Sequence, residues 1–584
     1  MKNIVFDIET DGLDATKIWC MAITDPDTGE TKTYGPTQIV EGLACLNSAE
    51  KLIGHNIIGF DLPVIKKLHN IDLMAGKKIV DTLVLSRLFN PTREGGHGLE
   101  SWGYRIGMSK IEFEEFEYYT PDMLNYCRND VILNSKVFNN LKTEARGFSR
   151  RSVDIEHESL KIIADQRDHG FMLDIKKASL LVADLTEKIN AVEKKVQETF
   201  RPKKLKTYLL PFFTKTGALS KMALVKGSDK KSRMSQEEYE EMAIKQKVVR
   251  IQEVPFNLGS RKQIGEYLID FGWKPERFTP TGQPIVDEST LSKITDIPEA
   301  KLIAKYLLLQ KRIAQVDSWL KVVEDDDRVR GYVNPNGTIT GRMTHNSPNM
   351  AQVPSISSPY GKECRACWTV PDGYKLVGID ASGLELRMLA NYMKDEDFKN
   401  EILHGDIHSA NQRLAGLESR NQAKTFIYAL LYGAGDAKLG SVVGGNKADG
   451  SKLRKHFFDN LPAFKSLKDT VGRAASKGYI KGLDGRKLFV RSEHSALNTL
   501  LQGGGAIVMK QAMINLKRMI DLNTLDAHFV CNVHDEWQLE VKESVAEFVG
   551  QLGVEAIVQA GKDLELFCEL DGEYKIGGNW SETH

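Results

Sequence analysis

The chain has 584 residues, 41% of them hydrophobic and 27% charged, which is the composition of a globular protein too long for one core, so roughly three to five domains are expected. Its 79 basic and 79 acidic residues cancel, which excludes a polybasic or polyacidic chain and leaves any nucleic-acid surface to local patches. Seven scattered cysteines exclude a disulfide scaffold and point to a reducing compartment. The lack of any run of about 18 apolar residues argues against a membrane protein.

The first 150 residues carry 17 basic and 21 acidic side chains and read as an α/β domain ending near 145–151. A strand over Ile4–Thr10 would point Asp7 and Glu9 to one face, because strand side chains alternate. The segment HNIIGFDLPVI adds Asp61, and YCRND adds Tyr126 and Asp130, four apart on one face of a helix opened by Pro121. Each acid alone reads as a surface carboxylate. Together, four carboxylates and a phenol suit two divalent cations that activate water and stabilise the leaving oxygen of a phosphodiester.

Further along, Leu181, Leu185, Ile189, Val192 and Val196 have the spacing of an amphipathic packing helix. A second such helix starts at Pro298 and carries a stripe of Leu302, Tyr306, Leu309, Ile313, Val316 and Leu320. Between them, residues 201–250 hold 13 basic and 5 acidic residues, the strongest basic block in the chain. It reads either as a solvated insertion or as a surface for phosphates or a partner. Cys364 and Cys367 form a CxxC with no second pair or nearby His, so the spacing is read as chance.

The C-terminal half supplies a second constellation. KLVGIDASGLELRMLA is a strand delivering Asp380 at its end, followed by a helix from about Ser382. HFVCNVHDEWQLEV reads as two alternating strands with Asp535 at the tip of the turn His534-Asp535-Glu536. In SRNQAKTFIYALLYGAG, Arg420, Lys424 and Tyr428 recur every fourth residue on one helix face, and Gly433 and Gly435 end the helix. Two cations above an aromatic ring suit a triphosphate and the nucleotide behind it.

DIET, HNxxxFD and YxxxD resemble the proofreading 3′-to-5′ exonucleases of the DEDD type with a tyrosine in the last motif, at Asp7, Glu9, Asp61, Tyr126 and Asp130. DxSxxELR, RxxxKxxxYxxxYG and HDE resemble motifs A, B and C of the family A, polymerase-I-like DNA polymerases. VNPNGTITGR, SPYGKECRA, GLDGRK and HSALNTLLQGGGA look like segments of the replicative polymerases of short-tailed, T-seven-like bacteriophages. The resemblance covers nearly the whole chain and is weakest over 201–254.

The resemblance implies an RNase H-like α/β exonuclease domain at 1–148 followed by a hand-shaped α+β polymerase. Its thumb spans 149–330 with the basic insertion 201–254, its palm 331–392 and 496–584, and its fingers 393–495. It implies catalysis by Asp380, Asp535, Glu536 and Lys424, with two magnesium ions per active site, or manganese in their place. The ions would be held by Asp380 and Asp535 in one centre and by Asp7, Glu9, Asp61 and Asp130 in the other. His408, Arg420, Lys424, Tyr428, Tyr432 and Glu385 would bind the nucleotide, and Glu385 would exclude a ribose 2′-hydroxyl. Arg342, Arg491, Asn498, Gln502 and His534 would contact DNA. The implied partners are primer-template DNA, dNTPs, a phage helicase-primase and a single-stranded-DNA-binding protein, in the cytoplasm of an infected bacterium. Related polymerases recruit host thioredoxin through a thumb insertion; here the poor match favours direct grip of DNA by the basic block. A single-subunit phage RNA polymerase, a nuclease with a decayed polymerase half, and a non-catalytic primer-template scaffold are the weighed alternatives. Glu385, the exonuclease motifs and the unsubstituted sites argue against them.

Overall fold

The computed structural model describes residues 2–584, apart from the side chains of residues 288 and 289. The chain divides into two compact units, Met1–Ile175 with Val322–His584, and Lys176–Lys321.

The larger unit opens with a mixed sheet. Strands β1 (Asn3–Thr10), β2 (Ile18–Thr24) and β3 (Thr31–Tyr34) are antiparallel neighbours, and β4 (Lys51–Gly54) and β5 (Lys78–Asp81) continue the sheet in parallel beyond β1, in the order β3-β2-β1-β4-β5. Alternation along β1 sends Ile4, Phe6 and Ile8 into one core and Val5 into another, so Asp7 and Glu9 share the face of Val5. Helix α1 (Asp61–His69) begins on the acid Asp61. Helix α2 (Pro121–Glu144) packs on β1 and β2; Pro121 takes its first turn, where no N–H is missed, and the Thr120 side chain accepts from the Met123 N–H. Helix α3 (Arg150–His169) follows after its Ser149 cap.

The smaller unit contains most of α4 (Ile175–Thr199), whose buried residues Leu181, Leu185, Val192 and Val196 follow the expected stripe. The basic block, which the sequence reading left without strands, folds as an antiparallel sheet of β6 (Lys203–Leu210), β7 (Met222–Val225), β8 (Lys231–Arg233) and β9 (Val248–Val254), ordered β9-β6-β7-β8. Helix α5 (Gln236–Lys245) supplies Met242 to the core of Leu209, Ala223, Met234 and Val248 on one sheet face. Helix α6 (Pro298–Leu320) starts at the expected proline, but its buried ridge is Ile303, Leu307, Leu309, Val316 and Trp319. The expected Leu302, Tyr306, Ile313 and Leu320 flank it half-buried. An apolar band this wide fixes the period of a helix without fixing its phase.

Back in the larger unit, β10 (Tyr374–Ala381), β11 (Ala527–Val533), β12 (Glu536–Lys542) and β13 (Gly572–Gly577) form an antiparallel sheet ordered β11-β12-β10-β13. Both hairpin strands are buried almost throughout, where an alternating pattern implied one open face. The reason is cover: α3 packs on β11, and α11 (Ala546–Asp563) packs on β10 and β13. Helices α7 (Leu384–Met393), α8 (Ile407–Ala415), α9 (Arg420–Leu431) and α10 (Ala496–Leu522) share the core that includes Val377 and Ile379 of β10. The glycine run in α10 is a packing device: a Cβ on Gly504 would sit 2.8 Å from the Tyr392 hydroxyl.

Buried charges lock α3 to the C-terminal part. Glu156, with no exposed surface, accepts from Lys510 Nζ of α10 at 2.6 Å and pairs with Arg486, which also grips Asp484. Removing one member would strand a buried charge, at a cost of roughly 3–5 kcal/mol. No helix among the described residues is long and apolar enough to cross a membrane.

Candidate active sites

The first centre lies where β1, α1 and α2 meet. Asp61 Oδ1 accepts the backbone N–H of Ile8 at 3.2 Å, which ties the start of α1 to the strand carrying Asp7 and Glu9. The loop leading to Asp61 is pinned by Asp81, whose carboxylate accepts the N–H groups of Asn56 at 2.9 Å and Ile58 at 3.2 Å. Tyr126 and Asp130, one turn apart on α2, face the same site, and Glu9, Asp61, Tyr126 and Asp130 are all buried.

Burial pushes these acids toward neutrality, and repulsion from the neighbouring carboxylates adds to it at Asp7 and Glu9. Asp7 is held well above the usual carboxylate range, Glu9 is pushed up to about 8, and burial raises Asp61 to about 7 and Asp130 above its ordinary value. Asp130 Oδ1 is buried with no hydrogen-bond partner among the described residues. Oxygen-rich, charge-repelling and under-satisfied, the set fits hard divalent cations.

Sequence reasoning missed two neighbours. Lys110 Nζ pairs with Asp130 Oδ2 at 2.8 Å and lies 4.8 Å from the centroid of the Tyr126 ring. Burial alone would depress its ammonium, but Asp130 holds it above the ordinary lysine value. Nothing in the sequence spacing ties Lys110, on the irregular stretch between Ile106 and Pro121, to Asp130. Cys127 lies with Asp7 and Glu9, one potential ligand atom from each within 4.8 Å of the others, and its thiol donates to the Asp7 carbonyl at 3.5 Å. Burial pushes that thiol well above its usual pKa, so it backs the site as a neutral group.

The second centre is built on the C-terminal sheet. Asp380, the penultimate residue of β10, lies opposite Glu536, the first residue of β12. The turn between β11 and β12 is His534-Asp535, with His534 at φ 58°, and the Asp535 carbonyl accepts the Ala381 N–H at 3.1 Å. Burial, then Asp535, Glu536, Glu573 and Glu385, pushes Asp380 up to about 8; burial and Glu385 raise Asp535. Glu536 differs. Burial would raise it too, but its oxygens accept from Trp580 Nε1 at 2.6 Å, Gln538 Nε2 at 2.6 Å and His584 Nδ1 at 2.7 Å, and it ends below the ordinary value. Asp380 and Asp535 therefore combine crowding with a shortage of donors, which fits a cation, while the protein satisfies Glu536.

Around this centre a pocket is lined by Arg342, Leu384, Ala506, His534, Asp535 and Trp537. Glu385 Oε1 accepts from Arg342 at 3.3 Å and from the Tyr432 hydroxyl at 3.2 Å. Tyr428 and Tyr432 stack with centroids 6.4 Å apart, and His408 lies 6.3 Å from Tyr428. Arg420 is turned to Asp406, Nε to Oδ2 at 2.8 Å, while Lys424 is exposed on the same helix. Asn498 and Gln502 are the half-exposed positions on a largely buried stretch of α10 and share a face with Ala506. Arg491 is exposed ahead of that helix.

Residues 228–582 match the family model of DNA polymerase family A. The chain is 33% identical to the DNA-directed DNA polymerases of Enterobacteria phage T3 and of Escherichia phage T7, with all of each chain covered. The chain belongs to DNA polymerase family A. The fold of the polymerase is also similar to that of the POL domain of Pol1 from M. smegmatis, solved in complex with DNA primer-template and dNTP, at a TM-score of 0.79 and 20% identity over 99% of this chain and 95% of that one. The polymerase thus holds both carboxylate centres in its larger unit. The CxxC cysteines Cys364 and Cys367 are buried.

Proposed function

We propose that this polymerase replicates a phage genome, extending a primer along a DNA template at the second centre and trimming mismatched 3′ ends at the first. Two separate clusters of acids, buried or half-buried and held toward neutrality by desolvation and crowding, carry this reading, because a divalent cation is what lets such acids ionise together. When bound, a pair of magnesium ions, or manganese in their place, lowers the pKa of the attacking primer 3′-hydroxyl or water and neutralises charge on the leaving oxygen.

Asp380 and Asp535 would hold the ions at the second centre, and Glu536, satisfied by its own donors, would stiffen the strand start. Arg420 and His408 would grip the triphosphate, Arg420 leaving Asp406 to do so. Lys424 would neutralise or protonate the departing pyrophosphate. The Tyr428 ring would back the incoming nucleotide beside Tyr432, and Glu385, fixed by Arg342 and Tyr432, would press on the sugar C2′ and exclude a ribose. Arg342, Arg491, Asn498, Gln502 and His534 would line the duplex at the new base pair. At the first centre Asp7, Glu9, Asp61 and Asp130 would hold the ions and Tyr126 would orient the attacking water. In this reading residues 1–148 are an RNase H-like exonuclease domain, 149–330 the thumb, 331–392 and 496–584 the palm, and 393–495 the fingers. A phage helicase-primase and single-stranded-DNA-binding protein are proposed partners.

Primer extension with dNTPs or rNTPs, with nucleotides omitted in turn, tests the reading. Template-ordered extension with dNTPs alone, and digestion of single-stranded 3′ ends without nucleotides, are expected. Extension with rNTPs would mean an RNA polymerase, and digestion without extension a nuclease.

A further inference from the structure

In the small sheet of the unit Lys176–Lys321, side chains alternate between two unlike faces. Leu209, paired with Val248, enters the core that Met242 of α5 completes. Tyr208 paired with Val249, Lys206 with Ile251, and Leu210 with Leu224 point the other way. No described hydrophobic core cluster forms on that side, and Tyr208 is 52%, Val249 40% and Ile251 57% exposed. A solvated sheet face normally reads polar, so exposed aromatic and branched apolar side chains on adjacent strands mark an interaction surface.

Charge chooses the occupant. Of the six acids in residues 201–254, Glu237, Glu238, Glu240 and Glu241 lie on α5, the helix that packs against the other face, while Glu253, the one acid in a strand of the sheet, lies on the open face opposite Lys204. Lys206 lies on the open face. So do Lys231 and Arg233, since they pair with Leu224 and Met222 of β7. Lys231 Nζ lies 3.7 Å from the centroid of the Phe212 ring, so an aromatic and a cation already stack at the end of β6. A flat apolar surface rimmed by cations suits a polyanion that also offers bare hydrophobic faces. Duplex DNA hides its base faces and would use only the cations; an acidic peptide would leave the Tyr208 ring without a stacking partner.

We propose that this open face is a binding platform for single-stranded DNA, with Tyr208 as its stacking residue. This rests on the polymerase reading, in which the unpaired template strand is the single strand at hand. The test uses the full chain, with fluorescence anisotropy of a labelled oligothymidylate and of a labelled blunt hairpin duplex. Tyr208→Ala is expected to weaken oligothymidylate binding about tenfold or more, the worth of one stacked base, with hairpin binding unchanged. Ile251→Ser, on the neighbouring strand, should weaken it in the same direction. Unchanged oligothymidylate binding in both variants, or equal loss on hairpin and single strand, would overturn the platform. So would a polyglutamate peptide that binds the wild type and loses affinity in Tyr208→Ala while oligothymidylate does not. Single-nucleotide insertion by the wild-type chain reads the polymerase assignment separately: its absence sinks that assignment, while the binding assay still decides the platform.

Discussion

The two carboxylate centres solve one electrostatic problem in different ways. At the first, acids from a strand and two helices converge, and a lysine, Lys110, supplies the positive charge beside Asp130. At the second, Asp380 and Asp535 come from a strand end and a hairpin tip, no lysine pairs with either among the described residues, and the third acid, Glu536, is satisfied by Trp580, Gln538 and His584. Burial alone does not mark a cation ligand. The acids left short of protein donors are the ones available to an ion, and by that measure Glu536 stands apart from its neighbours.

The largest effects should come from breaking either centre alone. Asp535→Asn should cut primer extension by roughly a thousandfold or more, since several kcal/mol of charge stabilisation are at stake, while digestion of single-stranded 3′ ends persists. Asp7→Ala should do the reverse. Loss of both activities in one variant whose melting is unchanged would refute independent centres. Glu536→Gln should cost far less than Asp535→Asn, because an amide can still accept from Trp580.

In the proposed reading the second centre also recognises a sugar, and Tyr428 sharpens the contrast. Its hydroxyl can replace the hydrogen bonding that a missing 3′-hydroxyl leaves open, so the wild type should incorporate dideoxynucleotides readily. Tyr428→Phe should discriminate against them by a further ~2 kcal/mol, within the ~1–3 kcal/mol of an unpaired buried polar group. Equal chain termination by both enzymes, read on a sequencing gel, would rule this out.

A smaller effect separates the centres by pH. In chelator, Glu9 titrates near 8 and Asp61 near 7 in the folded chain, above their unfolded values. The native state therefore binds the extra protons between about pH 4 and 8. That stability is complete below the unfolded pKa and is lost as pH rises through the folded one. Melting of the metal-free protein should fall across that window, and magnesium should restore it. Glu9→Gln should flatten the fall and raise the metal-free Tm at pH 8, by about 2 °C or less per kcal/mol relieved in a unit of this size. A flat wild-type profile in chelator would contradict the crowding of acids at the first centre.

Much of both centres was legible because their residues sit at punctuation points: a strand of alternating pattern, a proline-opened helix, a two-residue turn, a helix with a cation or an aromatic on one face at every turn. Lys110 was not, because it lies on the irregular stretch between Ile106 and Pro121, where no period links it to Asp130. The phase of α6 was lost because leucine, isoleucine, tyrosine and tryptophan fill more than one stripe. The strands β6 to β9 were hidden by their lysines, which interrupt the apolar alternation on the very face that stays open.

The weakest expected effect concerns that basic region, where the structure divides residues the sequence grouped. Lys203 pairs with Asp270 and lies over the Tyr267 ring, and Lys204 lies 3.8 Å from Glu253, so both are partly neutralised. Lys206, Lys226, Lys230 and Arg233 have no ion pair among the described residues. If the region grips DNA directly, changing these four to Gln should shorten products made per binding event and should slow insertion of a single nucleotide much less. The slope of log affinity against log salt should flatten by up to about 0.7 per lost phosphate contact on a single strand, or about 0.9 on duplex. Neutralising Lys203 and Lys204 instead should move the slope less, because their charge is already shared. Added thioredoxin should change product length little. Long products that appear only with thioredoxin would instead make this sheet the seat of a protein processivity factor.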